Sequence, residues 1–268
     1  MNLSIVHEEL VQELREGMNT IAHGDPAVEL ADVCETLSIQ FEALGVCHLF
    51  EFADTVELRN NLVRSAHSRR CFLQRSKAEG NDRDRHLALG RSRAFLDAMV
   101  AGSLPLARDI ADLSSEIWIP SWEYEDDFCF FLFLHQIVKQ PDPFPTPETH
   151  AIMARFERSL EGADSTRYEV CKALTTRDPA TFASALEALI EEEKARIEAD
   201  RESPAVHEGD IVYWATSRIS IEGLALLQFA ALLGIRAERS FELCPPLARL
   251  PFTDQRFLDL FEEIARIG

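Results

Sequence analysis

The chain is poor in the small, permissive residues from which phosphate cradles are built. It has 11 Gly in 268 residues, and neither G-x-G-x-x-G nor G-x-x-x-x-G-K-[ST] occurs. The serine-hydrolase elbow G-x-S-x-G is missing as well. Gly90-Arg-Ser92-Arg-Ala94 comes nearest and lacks the second glycine. No H-E-x-x-H exists, and a di-metal helical bundle would need two Glu-x-x-His motifs. His48-x-x-Glu51 is a single reversed pair, and His135 follows Phe131 and Leu132 where a carboxylate would be required. Each isolated histidine therefore reads as a surface residue or a satisfied core residue. No catalytic residue, cofactor site or metal site is expected.

Cysteine pairs are absent too. Cys34, Cys47, Cys71, Cys129, Cys171 and Cys244 are scattered without a Cys-x-x-Cys, so they read as free thiols filling core sites. Met1 to Leu14 carries His7, Glu8, Glu9 and Glu13, without the basic start and apolar centre of a signal peptide. The most apolar run, Phe128 to Leu134, falls far short of the ~20 residues that span a bilayer. The expected location is the cytoplasm.

Positive charge is scarce. Lys and Arg number 27 against 46 Asp and Glu, for a net charge of -19. Such a surface disfavours direct binding to nucleic acid or to anionic membranes and favours a basic partner. The deficit is uneven. From Arg59 to Arg93 there are ten basic residues (including Arg64, Arg69, Arg70, Arg91 and Arg93) against Glu79, Asp82 and Asp84, whereas residues 1–58 carry twelve acids and only Arg15. The basic stretch can bind an anionic ligand or pair with the acidic helices before it, and the second is the expectation.

What is present in abundance is helical periodicity. Val6, Leu10 and Leu14 share one face, and Gly24 with Asp25-Pro26 marks a stop and a fresh start. Val28, Ala31, Cys34, Leu37, Phe41 and Leu44 then form one stripe. Asp54-Thr55 opens a helix with Leu58, Leu62, Ala66 and Leu73 inward, and Leu104-Pro105 opens another with Leu106, Ile110 and Leu113. Glu79 to Arg85 reads as a loop. Ser121 reads as the cap of a helix through Phe128–Leu134 that is apolar all round and therefore central. In it, Phe128, Phe131, Leu132 and Leu134 are expected to be buried, with Phe130 or Phe133 at a hairpin interface.

The Pro-rich run from Pro141 to Pro147 resists regular structure and divides the chain into helical halves, 1–140 and 148–268, packed as one unit. The second half reads as helices around Phe156, around Cys171, from Asp178-Pro179 to the charged tail ending at Glu202, from Trp214 to Gly234, and around Phe257, Leu260, Phe261 and Ile264. No segment alternates with period two. The expected fold is all-α, ten or more helices in an array of antiparallel hairpins. A faint echo between the Leu104 and Asp178 helices suggests a repeat without a sustained period.

One cluster invites a binding role. Glu125-Asp126-Asp127 follows Trp122, Glu123 and Tyr124 and lies near Trp118. The acids suit a first helical turn, where the dipole favours negative charge. Together with the aromatic residues they also suit a contact patch, because Trp and Tyr anchor interfaces. Trp122, Glu123, Tyr124, Glu125, Asp126 and Asp127 are accordingly the candidate partner-binding residues.

Several strings resemble the immunity protein 49 family of bacterial polymorphic toxin systems. They are Arg93-Ala-Phe-Leu-Asp-Ala-Met with Ala107-Arg-Asp-Ile-Ala, Trp118, Glu123-Tyr-Glu-Asp-Asp-Phe-Cys-Phe-Phe-Leu-Phe-Leu134, Arg155-Phe-Glu, Leu160-Glu-Gly162, Ile221-Glu-Gly-Leu-Ala-Leu-Leu227 and Cys244-Pro-Pro-Leu-Ala-Arg249. The similarity spans roughly residues 90 to 250. It implies a helical, non-enzymatic inhibitor that binds a co-encoded toxin domain, for which a basic nuclease would suit the charge. Rival readings are a helical hydrolase that reverses a toxin's modification and a helical scaffold. A clustered, perturbed acid pair in a pocket would favour the hydrolase.

Overall fold

The computed structural model describes residues 2–23, 29–202, 210–237 and 239–250. Eleven α-helices lie among them: α1 (Leu3–His23), α2 (Leu30–Phe52), α3 (Thr55–Glu79), α4 (Arg93–Val100), α5 (Leu104–Leu113), α6 (Glu125–Lys139), α7 (Pro147–Ser159), α8 (Thr166–Thr176), α9 (Pro179–Glu202), α10 (Ile211–Thr216) and α11 (Ile221–Leu232). The described residues contain no strand beyond an isolated bridge between Phe241 and Cys244. The fold is an all-α array. None of the described helices is long and apolar enough to cross a membrane. The expected start at Asp25-Pro26, Val28 and the helix around Phe257 lie outside the described residues.

Local chemistry accounts for many of the ends. Asp54 Oδ1 accepts from the amides of Val56 at 2.9 Å and Glu57 at 3.0 Å, starting α3. Asp178 Oδ2 accepts from the Thr181 amide at 2.8 Å and starts α9 in the same way. Pro105 occupies the first turn of α5, where a missing amide costs nothing. α3 runs through Glu79, so the expected loop begins at Gly80, in the left-handed conformation at φ 66°.

α2 and α3 make a long antiparallel hairpin. Ser38 meets Ser65 at 2.7 Å, and further along Gly45 lies against Leu58. A Cβ on Gly45 would stand 2.9 Å from the Leu58 carbonyl oxygen, so only glycine lets the two backbones approach this closely. The expected single stripe on α2 is a correction: from Leu37 to Cys47 only Ile39 is exposed, so Ser38, Gln40 and Glu42 are buried with the apolar residues. Helices pack against α2 from several sides.

α6 is the centre of the main core. Phe128, Phe130, Phe131, Leu132, Phe133 and Leu134 are all buried, as its uninterrupted apolar surface implies. Phe130 packs edge-to-face on Phe131, and Phe133 on Phe144 of the Pro-rich run. Two expectations about boundaries fail. Ser121 lies in a turn and caps nothing; α6 starts at Glu125 with Tyr124 before it and no side-chain cap. The segment from Trp214 to Gly234 is two helices, because Ser220 starts α11 by accepting from the Gly223 amide at 2.9 Å.

The core cluster around α6 draws residues from Ala31 to Ala248, on both sides of the Pro-rich run. A second cluster joins Val6, Leu10 and Leu14 of α1 to Leu37, Phe41 and Leu44 of α2 and to Ile211 and Ala215 of α10. Cys34, Cys47, Cys129, Cys171 and Cys244 are buried as thiols, and Cys71 is half-buried.

Candidate partner-binding site

The candidate residues sit where the irregular segment after α5 enters α6. Trp118 is half-buried and donates its indole Nε1–H to the Glu123 carbonyl at 3.1 Å, pinning the segment against the helix start. The Glu123 carboxylate turns inward and accepts from the backbone amides of Leu89 at 3.1 Å and Gly90 at 2.6 Å. A Cβ on Gly90 would lie 3.2 Å from that carboxylate, so a glycine here leaves it room. Burial pushes the Glu123 carboxyl up, and the two amides pull it back.

The acid triplet divides. Glu125 pairs with Arg155 of α7 at 2.7 Å, and that guanidinium also lies 4.9 Å from the Phe128 ring centre and 5.5 Å from that of Trp118. Asp127 pairs with Arg167 of α8 at 2.6 Å. Arg167 in turn grips Glu222 of α11 with two bonds, at 2.8 and 2.6 Å, and stands 4.7 Å over the Phe130 ring. Burial pushes the Asp127 carboxyl up, with Arg167 opposing it. Asp126 makes no ion pair among the described residues. It borders a cleft of about 420 Å³ with Arg167, Glu192, Glu193, Arg196 and Glu222. Trp122 is half-buried, Tyr124 is 79% exposed and Ile117 is 72% exposed. The six residues are therefore contiguous, but Glu123, Glu125 and Asp127 hold the turn to α7, α8, α11 and the Leu89–Gly90 turn. Ile117, Trp122, Tyr124 and Asp126 remain presented outward.

The basic stretch pairs with the acidic helices before it in part: Arg64, Arg91 and Arg93 reach Glu57, Glu35 and Glu42, while Arg70 pairs with Asp109 and Arg83 with Asp82. Arg91 bonds both oxygens of Glu35 at 2.9 Å, and half-exposed Arg93 grips Glu42 through two bonds, at 2.6 and 2.7 Å. His86 is buried between Asp32 and Glu35 on one ring nitrogen, at 3.0 and 3.2 Å, and Asp84 on the other, at 2.7 Å. His135 departs from the expected satisfied histidine. It is buried edge-on to Phe95 with Nε2 unpartnered, and burial lowers its pKa to about 3.

A second group was not anticipated. Glu42 and Asp97, at 2% and 1% exposure, lie close together where α2, α3 and α4 meet. Ser65 donates to Asp97 Oδ2 at 2.5 Å and contacts Ser38. Burial, reinforced by Glu42, holds the Asp97 carboxyl well above its ordinary range. Asp97 Oδ1 is buried without a hydrogen-bond partner. The two acids are thus clustered, with Asp97 perturbed, but they are enclosed rather than open to a substrate. The available signal was local: Asp97 stands alone among Ala94, Phe95, Leu96, Ala98, Met99 and Val100, an acid on an otherwise apolar helix body.

Comparison with known protein families gives one match, to the family described as Immunity protein 49, over residues 25–247. No curated protein and no solved structure matches the chain.

Proposed function

The chain belongs to the Immunity protein 49 family, and on that premise we propose that it binds a co-encoded bacterial toxin domain one-to-one and neutralises it without turnover. The family match over most of the chain carries this reading. The net charge of -19 supports a basic toxin domain, such as a nuclease, whose phosphate-binding cleft an acidic protein can occupy after fast, steered encounter. We place the action in the cytoplasm, with no nucleic acid or membrane bound directly.

The contact surface we propose is Trp122, Glu123, Tyr124, Glu125, Asp126 and Asp127. Two aromatic side chains stand at its edge, while internal ion pairs hold the backbone beneath them. Such pre-ordering reduces the entropy lost on binding. The hydrolase reading receives less support, because Glu42 and the perturbed Asp97 are buried rather than set in a pocket.

Co-expression with the product of the adjacent gene, followed by co-purification and titration, tests the reading. Toxin activity should fall linearly to zero near one equivalent. Full protection by a small fraction of an equivalent would mean turnover and defeat the proposal. Replacing Glu125, Asp126 and Asp127 together by Ala should slow association and weaken its salt dependence; unchanged kinetics would remove the patch from the interface.

A further inference from the structure

Among the arginines of the basic stretch that take no part in the pairing described above, Arg69 is the one buried beside a cavity. Arg69 of α3 is 7% exposed and makes no ion pair among the described residues. Its Nη1 donates to the His86 carbonyl and its Nη2 to the Ala88 carbonyl at 3.2 Å, while the guanidinium stands 5.5 Å over the Phe72 ring. Nε is buried and has no partner. Glu35 and Glu123 favour its charge from beyond contact distance, yet burial dominates and brings the group down to about 10. A buried cation held only by neutral carbonyls is costly, and an anion in contact would relieve that cost.

Arg69 borders a half-enclosed cavity of about 210 Å³. Its wall combines Ala31, Ile39 and Phe72 with Ser38, Arg91 and Arg93. The one carboxylate in that wall, Glu35, is already engaged by Arg91. Arg91 and Arg93 are thus neutralised by Glu35 and Glu42, and Arg69 is left as the guanidinium of this largely apolar wall without an acid partner.

We propose that this cavity is a binding site for a small carboxylate, whose charge meets Arg69 and whose short apolar body lies against Phe72 and Ile39. A monoanion suits the wall better than a phosphate dianion, which would be repelled by Glu35 at close range. The carboxylate belongs either to a free organic acid or to an acidic side chain of a bound protein. The site itself and the free-acid source stand apart from the toxin-binding reading, and the side-chain source rests on it.

Sodium butyrate is the probe, with butyramide as the neutral isostere and sodium chloride as the ionic-strength control. Butyrate should raise the thermal midpoint of the full-length protein saturably, and neither control should. Arg69→Met should abolish that response. If Arg69→Met fails to fold, Ala94→Leu, which fills the cavity and leaves Arg69 in place, should weaken butyrate binding at least tenfold. Absence of a saturable response, an equal response to butyramide, or full binding by both variants would overturn the site. Repeating the titration with the adjacent gene's product separates the sources. If saturating butyrate weakens that complex tenfold or more, the site takes a partner's side chain; if the complex is indifferent, it takes a free acid.

Discussion

The first turn of α6 and the junction of α2, α3 and α4 contain the same chemistry, carboxylates within reach of arginine, and handle it in opposite ways. At α6, Glu125 and Asp127 remain about one-third exposed, and each has a separate arginine that is exposed to a similar degree and backed by an aromatic ring. Water shares in stabilising those charges, so each pair adds only about 0–1 kcal/mol. At the junction, Glu42 and Asp97 have lost their water, and Arg93 alone serves both. The Asp97 carboxyl is held well above its ordinary range as a result. What separates the two sites is the number of cations and waters available to each acid, not the number of acids.

The largest break in this contrast should come from Glu42→Ala. It strips half-exposed Arg93 of its partner and leaves a gap in the buried junction, and because water can take over part of the Arg93 charge it should cost about 1–3 kcal/mol in urea unfolding. A loss under about 1 kcal/mol would mean that water reaches the junction and that the two sites are alike.

Asp97→Asn sharpens the comparison through pH. Below the ordinary value of 3.8, the carboxyl is protonated in both folded and unfolded chains. Above it the unfolded chain releases the proton while the folded chain retains it, so stability falls by about 1.4 kcal/mol per pH unit until the raised folded value is passed. Asparagine keeps the size of the side chain and an acceptor for Ser65 and cannot ionise. Urea midpoints measured from about pH 4 to about pH 7 should show the variant gaining on the parent as pH rises. Parallel curves would show Asp97 ionised.

A smaller effect is expected at the exposed site. Arg167→Met frees Asp127 and Glu222 to be solvated and removes the contact over Phe130, so about 1 kcal/mol should be lost. Most of the ionic part should vanish near ~1 M salt, where screening leaves little to remove. The smallest change in stability should follow Tyr124→Ala, within about 0.5 kcal/mol, because so little of that side chain is buried. Association with the partner should nevertheless slow measurably, which stopped-flow mixing would detect.

Much of the helical scaffold was legible in the chain. The Asp54 and Asp178 caps are local bonds spanning two or three residues, and the apolar circumference of α6 implies burial whatever surrounds it. Ser121 misled because a cap is chosen by where the backbone turns, and the Trp118 indole holding the Glu123 carbonyl is part of what keeps the chain irregular up to Tyr124. At the candidate site the acid triplet was visible, but its partners were not. Arg155 lies 30 residues from Glu125, and Arg167 lies 40 from Asp127 and 55 from Glu222.

By itself, then, the sequence determined the helical class, several helix starts, the buried position of α6 and the excess of negative charge, because each depends on periodicity, local hydrogen bonds or a count of residues. Only the tertiary structure decided which of those charges survive as charges. Ion pairing and desolvation depend on distance and on access to water, and both are set when helices far apart in the chain come together, as α2 and α4 do around Asp97 and as α6, α8 and α11 do around Arg167.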